Sequence, residues 1–459
     1  MSAVDRSRVP VPVADRAFHF PRIVKRVLAN GLELRAVTHR SVPVAAIVLL
    51  VPGGSSVDPV DSHGLVSMTA GLIDEGSRGQ SALEIADRVA RIGGELDLDI
   101  GMDAVVVGLI TLDRFLDTGL ELVHEIVTEP NLANDDFNRI RNLRLERLRQ
   151  MKDHAGAMAD RAFARVLYGI HPYGHLSLGS EAALNAMTVD AAKGLHAAMF
   201  TPAGATLIVV GDRPEDELLD AAAAVFGTWR PATSTLAIDR DAALAPPPSA
   251  PEVKLAVISR PGAAQSELRI GHACAPRSTP DYHVLLILNT ILGGDFVSRL
   301  NLNLREQKGF TYGVRTGFNL RRGIGPFVMQ TSVGTDVTSP ALQEAWREIR
   351  DIATARPVTD QEVTEAFASV SKGYPRGFET AGQVARSVAQ LALHGLPDSY
   401  FEEFVPKLSK VTASDVTAAA RRYLDSEKMT TVIVGDLDKI APSLPALGLG
   451  PHRVLTIEL

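Results

Sequence analysis

The sequence predicts an α+β fold of two homologous domains, each a mainly antiparallel sheet with helices packed on one face. Three observations carry this. Short apolar strands alternate with long helical blocks rather than with single crossover helices. Landmarks of the first half recur in the second at a nearly constant offset. Between them lies Ala245-Pro246-Pro247-Pro248-Ser249-Ala250-Pro251, which can be neither helix nor central strand and reads as a semi-rigid linker. The expected divisions are an arm over 1–27, a first domain over 28–235, the linker over 236–252 and a second domain over 253–459.

Taken in order, residues 1–27 scatter charges and prolines without periodicity. Leu32 to Val37 and Ala45 to Val51 read as a strand pair, the second continuously apolar and so central. Gly64 to Ile73 reads as a short helix. Ser81 with Glu84 makes a capping box, and Leu83, Ile85, Val89 and Ile92 keep helical spacing as far as Gly93–Gly94. Ala104 to Leu112 is a strand. Helices follow over Phe115 to Thr128, Asp136 to Asp153 and Met158 to Tyr168, then a turn at His171-Pro172-Tyr173-Gly174. Thr206 to Val210 is a strand ending at Gly211–Asp212. In the second half, Leu268 to Ala273 matches Ala46 to Val51, and Thr431 to Val434 with Gly435–Asp436 matches the strand at Thr206.

Composition narrows the function. Of 459 residues, 46% are hydrophobic and 22% charged, enough apolar material for large cores. A formal net charge of -7 gives no reason to expect nucleic acid or an anionic membrane as partner. The longest apolar run, Val42 to Pro52, is too short to cross a bilayer, and the N-terminus lacks a secretory pattern, so a cytoplasmic location is expected. The single cysteine, Cys274, can form no intrachain disulfide and reads as a buried small hydrophobe.

A helical zinc site needs two His one turn apart with a carboxylate nearby. His171 and His175 have that spacing, but they sit on a turn. His124–Glu125 opens such a motif, yet position 128 is Thr. His63, Asp74 and Glu75 flank the first helix without a ligand spacing. Gly93–Gly94 and Gly293–Gly294 are isolated pairs, read as helix caps.

Leu292 to Val314, LGGDFVSRLNLNLREQKGFTYGV, stands out. Ser298 can cap a helix ending near Lys308, with Gly309 as its stop and a strand following. Arg305 falls in the last turn, where a cation suits the helix dipole, and Tyr312 follows across the turn. Together they can donate hydrogen bonds to peptide carbonyls. On spacing alone, an Arg capping helix carbonyls and a Tyr packing at a strand end is the favoured reading.

These residues carry a resemblance to the pitrilysin/insulinase-type zinc metallopeptidases, in the subgroup of bacterial processing-peptidase-like proteins, over residues 28 to 459. Asn30-Gly31-Leu32, Gly54-Ser55-Ser56-Val57-Asp58-Pro59, Gly64-Leu65, His171-Pro172-Tyr173-Gly174 and Val210-Gly211-Asp212 match in the first half. Gly293, Gly294, Ser298-Arg299-Leu300, Arg305, Gly309 and Tyr312 resemble the family's arginine/tyrosine motif. The resemblance implies two halves facing each other as a clamshell.

It also exposes a departure. Catalytic members carry His-x-x-Glu-His on the first helix. Here Ser67 and Gly71 stand at the His positions and Ala70 at the Glu position, and the third ligand position falls on Glu146 or Arg147. A hydroxyl, a methyl group and a hydrogen hold no zinc, and Ala70 accepts no proton from water. Leu96-Asp97-Leu98-Asp99 replaces the peptide-binding edge sequence. What the resemblance then implies is a catalytically silent subunit without a metal of its own. Its partner would be a homologous zinc-bearing chain in a heterodimer, and Arg305 and Tyr312 would serve as substrate-binding residues. The alternatives are a structural scaffold, like the non-peptidase relatives in respiratory complexes, and a self-sufficient hydrolase built around His63 or Glu75.

Overall fold

The structure, a computed structural model, describes residues 18–248 and 252–456. Most of the arm and the linker residues 249–251 lie outside the described residues.

Strands β1 (Val24–Val27), β2 (Glu33–Thr38), β3 (Val44–Pro52), β6 (Glu95–Ile100), β7 (Ala104–Leu112) and β8 (Thr206–Gly211) form the first sheet, in the order β1-β2-β8-β3-β7-β6. The hairpin of β4 (Gly76–Ser77) and β5 (Gln80–Ser81) stands apart. β2 and β8 run parallel and the other neighbours antiparallel. The expected β2–β3 pair does not form, because β8 inserts between them. Every residue of β8 is buried, which demands a central place. The end of the arm is also not irregular: β1 pairs with β2.

The second sheet holds β9 (Leu255–Ser259), β10 (Gln265–Ala275), β11 (Val314–Phe318), β12 (Gly325–Gly334), β13 (Thr430–Gly435) and β14 (Arg453–Val454), in the order β11-β12-β10-β13-β9-β14. Read from the other edge, β9-β13-β10-β12-β11 repeats β2-β8-β3-β7-β6. The register corrects the expected alignment by one residue. Ile47 lies opposite Val209, and Leu268 lies opposite Ile433, so Leu268 corresponds to Ile47 and not to Ala46. A one-residue slip changes the face of a strand. Burial agrees: Ile47 and Leu268 face their own helices, whereas Ala46 faces the other side.

The first half contributes α1 (Leu65–Ala70), α2 (Ala82–Arg91), α3 (Leu116–Thr128), α4 (Asn134–Asp153), α5 (Ala155–Tyr168), α6 (Glu181–Ala186), α7 (Val189–Met199) and α8 (Glu215–Phe226). The second contributes α9 (Tyr282–Asn289), α10 (Thr338–Asp351), α11 (Asp360–Gly373), α12 (Ala381–His394), α13 (Tyr400–Leu408), α14 (Ala413–Tyr423) and α15 (Leu437–Ile440). Each sheet packs one face against its own helices. Its opposite face receives a helix from the other half. α12 lays Val384, Val388 and Leu391 against Val48, Leu50, Ile208 and Val210. α5 lays Ala159, Ala162 and Phe163 against Ala256, Ile258, Val432 and Val434. This exchange explains why β3 and β13 are apolar on both faces. Each fully buried Val, Leu, Ile or Phe contributes about 1.5–3 kcal/mol.

The His-Pro-Tyr-Gly turn joins the halves as well. The Tyr173 hydroxyl donates to Asp103 (2.6 Å) and accepts from the backbone N–H of Gly323 (3.0 Å). The second Asp103 oxygen accepts from the N–H of Arg322 (2.9 Å).

Candidate functional site

α1 is set by the chain before it. Gly64 stands at φ +94°, the left-handed region that favours glycine, and begins the helix. The Asp58 carboxylate accepts from the N–H groups of Gly64 and Val66, both at 2.7 Å. Burial pushes the Asp58 carboxyl up to about 7, against the pull of those N–H donors and of Arg144.

All six residues of α1 are buried. Ser67 does not face a ligand space. Its hydroxyl accepts from Arg144 Nη1 (2.7 Å), and its carbonyl accepts from Arg144 Nη2 (2.5 Å). A Cβ added at Gly71 would stand 3.1 Å from the same Nη2. The Arg144 guanidinium therefore fills the space between Ser67 and Gly71, beside fully buried Ala70. Burial, with Arg147 beside it, pushes Arg144 down to about 10, still a cation at neutral pH. Glu146, 59% exposed, turns outward to Arg149 (2.6 Å). Of the two residues left open for the third ligand position, Arg147 is thus the one beside Arg144. This donor set does not fit zinc: the one hydroxyl is engaged, and a fixed positive charge occupies the space. Among the described residues, no three His, Cys, Asp or Glu side chains gather as a metal cluster.

The other candidate ligands also separate. His171 bonds the Ala245 carbonyl (2.9 Å) and accepts from the N–H of Tyr173 (3.1 Å). His175 stacks on His63, with ring centroids 4.0 Å apart. Glu125 is held by Arg88 (2.8 and 3.0 Å), His124 lies against Thr228 (3.4 Å), and Glu75 bonds Arg139. Cys274 is half-buried, and burial pushes its thiol up to about 12, so it is unreactive near neutral pH.

Arg305 and Tyr312, by contrast, line one cavity of about 540 Å³ in the second half. Arg305 sits in a π-helical segment, Asn301–Gln307, that stops where Gly309 (φ +65°) donates its N–H to the Arg305 carbonyl (3.2 Å). Asn301 pins this segment to β11. Its amide donates to the carbonyls of Asp295 (3.0 Å) and Val314 (2.9 Å), and its oxygen accepts from the N–H of Val314 (2.8 Å). Gly293 and Gly294 are not helix caps. A Cβ on the first would lie 2.6 Å from Thr316, and on the second 2.3 Å from Asn289, so close packing explains both.

Arg305, 21% exposed, lies over the Phe296 ring at 3.5 Å from its centroid and pairs with Glu306 (2.8 Å). Tyr312 is 98% exposed. A held guanidinium and an open phenol on one cavity can each donate hydrogen bonds. Sequence reasoning found this pair but missed Phe296 and Arg144. Nothing local in the sequence set Arg144 apart from Arg139, Arg141, Arg147 and Arg149 in the same basic run on α4.

Residues 186–370, which include Arg305 and Tyr312, match the family described as the peptidase M16 inactive domain. The chain is similar to an uncharacterized zinc protease of Streptomyces coelicolor, 22% identical over 431 residues covering 92% of this chain and 91% of that protein. It is similar to the non-peptidase homolog YmxG of Helicobacter pylori, 20% identical, with 89% of this chain and 96% of that protein covered. The crystal structure of the peptidase M16 inactive domain from Pseudomonas fluorescens superposes with a TM-score of 0.83 at 26% identity, covering 90% of this chain and 98% of that one.

Proposed function

Because the chain belongs to the M16 peptidase family, the pitrilysin/insulinase-type metallopeptidases, and lacks the zinc motif on α1, we propose that it is the catalytically silent subunit of a two-chain zinc peptidase. One observation carries this reading. The Arg144 guanidinium fills the space between Ser67 and Gly71 in the first half, while the second half has Arg305 and Tyr312 on an open cavity. The partner is a homologous chain that bears the zinc. Arg305 and Tyr312 hold the backbone of a peptide substrate and stabilise the charge that develops on its carbonyl oxygen. A cytoplasmic location belongs to the same proposal. Among the described residues, no helix is long and apolar enough to cross a membrane.

The test is reconstitution with a homologous chain that carries His-x-x-Glu-His. Arg305→Ala and Tyr312→Phe are each expected to lower kcat/KM of the complex by roughly 10- to 100-fold. Thermal stability of this chain is expected to stay unchanged, since neither side chain is core. Full activity in both variants overturns the assigned role.

A scaffold without peptidase function is favoured by one feature: Phe296 and Glu306 already engage Arg305. A stable complex with a partner that also lacks the zinc motif would support that second reading.

A further inference from the structure

A second cavity, of about 740 Å³, lies at the seam between the halves and shares no lining residue with the Arg305 cavity. α5, the turn after His171, Pro248 and Glu252 of the linker, Val253 and the C-terminal strand contribute to its lining. Its volume is in the range of small-molecule sites.

Its charge is unbalanced. Among the described residues, Arg161, Arg165 and Arg453 line it, with Glu252 as the single acidic lining residue. Among the described residues none of the three arginines forms an ion pair. Arg165 only donates to the Gly169 carbonyl (2.9 Å). Arg161 Nη1 is buried without a hydrogen-bond partner, and so is His175 Nε2, on an imidazole side chain 8% exposed. Buried donors left unmade are costly, and a charged donor more so. His175 is stacked on His63 and is pushed down to about 4 by burial, by His63 and by Arg165. It is therefore neutral at pH 7 and can donate or accept one hydrogen bond without adding charge. The rest of the wall is largely apolar, with Val166, Leu176, Val253 and Leu455.

We infer that this cavity binds a small amphipathic carboxylate, its anionic head on Arg161 and Arg453 and its apolar body along Val166, Leu176 and Leu455. A planar guanidinium meets a carboxylate in paired hydrogen bonds, which would satisfy the orphaned Arg161 nitrogen. The apolar wall selects against an inorganic anion, which has nothing to bury there. Because both halves line the cavity, such a ligand tightens the seam that α5 makes with the second sheet.

Titration calorimetry of the full chain tests this with sodium octanoate as probe, and with acetate and inorganic phosphate as comparators. Octanoate is expected to bind below about 1 mM, and acetate and phosphate at least about tenfold more weakly. Arg161→Gln is expected to weaken octanoate at least about tenfold. Arg453→Gln, on the exposed terminal strand, tests the same head site if Arg161→Gln does not fold. Absence of octanoate binding at about 10 mM overturns the inference, as does wild-type affinity in the folded variants. Phosphate binding as tight as octanoate removes the amphipathic class and overturns it too. Binding that appears only in a chain ended at Thr456 overturns it for the protein as it exists.

Discussion

At the scale of the residue, the decisive exchange is a guanidinium for a metal ligand set. Arg144 reaches from α4 into the space between Ser67 and Gly71. Arg144→Ala removes two charge-assisted hydrogen bonds and leaves a void. The expected cost is about 1–3 kcal/mol, read as a fall of a few degrees in Tm. An unchanged Tm would mean that the space closes without it. That Ser67, Ala70 and Gly71 carry no metal donors was legible in the sequence, because a side chain either has a donor or lacks one. The replacement by Arg144 was not, because only the fold brings a residue from α4 onto α1. Arg305 and Tyr312 were legible as a pair, since the turn between them is local. The Phe296 ring under Arg305 was hidden, because a cation–π contact leaves no fixed spacing.

At the scale of the element, strand and helix positions followed from periodicity, and capping followed from Ser81 with Glu84, whose reciprocal bonds are present. Strand order did not follow. β2 and β3 are adjacent in sequence, yet β8 divides them, because a strand buried on both faces must lie inside the sheet. The exchange of α5 and α12 was equally hidden. Both carry apolar faces, but nothing local says which sheet they cover. Phe163 on α5 is 6% exposed against the second sheet. Phe163→Ala is expected to cost about 3–5 kcal/mol. Since α5 belongs to one half and packs on the other, calorimetry is expected to show a single transition for the wild type, moved to lower temperature by the substitution. Two separate transitions in the wild type would contradict the interlocking of the halves.

At the scale of the whole molecule, the histidines couple stability to pH. His175, His283 and His394 are each pushed down to about 4, chiefly by burial. A histidine lowered in the folded state contributes stability that is full above its unfolded value near 6.5 and is lost as pH falls toward 4. Asp58, pushed up to about 7, acts in the opposite sense, because the folded chain takes its proton first. His63, His124, His171, His196 and His272 are lowered as well, and Asp74 is raised like Asp58, so the histidines prevail and give a Tm that falls between about pH 6.5 and 4.5; a flat or rising Tm would refute this. The molecule is built from two sheets of the same order, locked by exchanged helices. The central claim is that this chain holds no zinc of its own and depends on a partner for it. Elemental analysis of zinc on the chain purified alone tests that most directly. A content near zero per chain is the predicted result. A content near one that survives dialysis would contradict the account, since it requires a ligand set where Arg144 now stands or elsewhere in the chain.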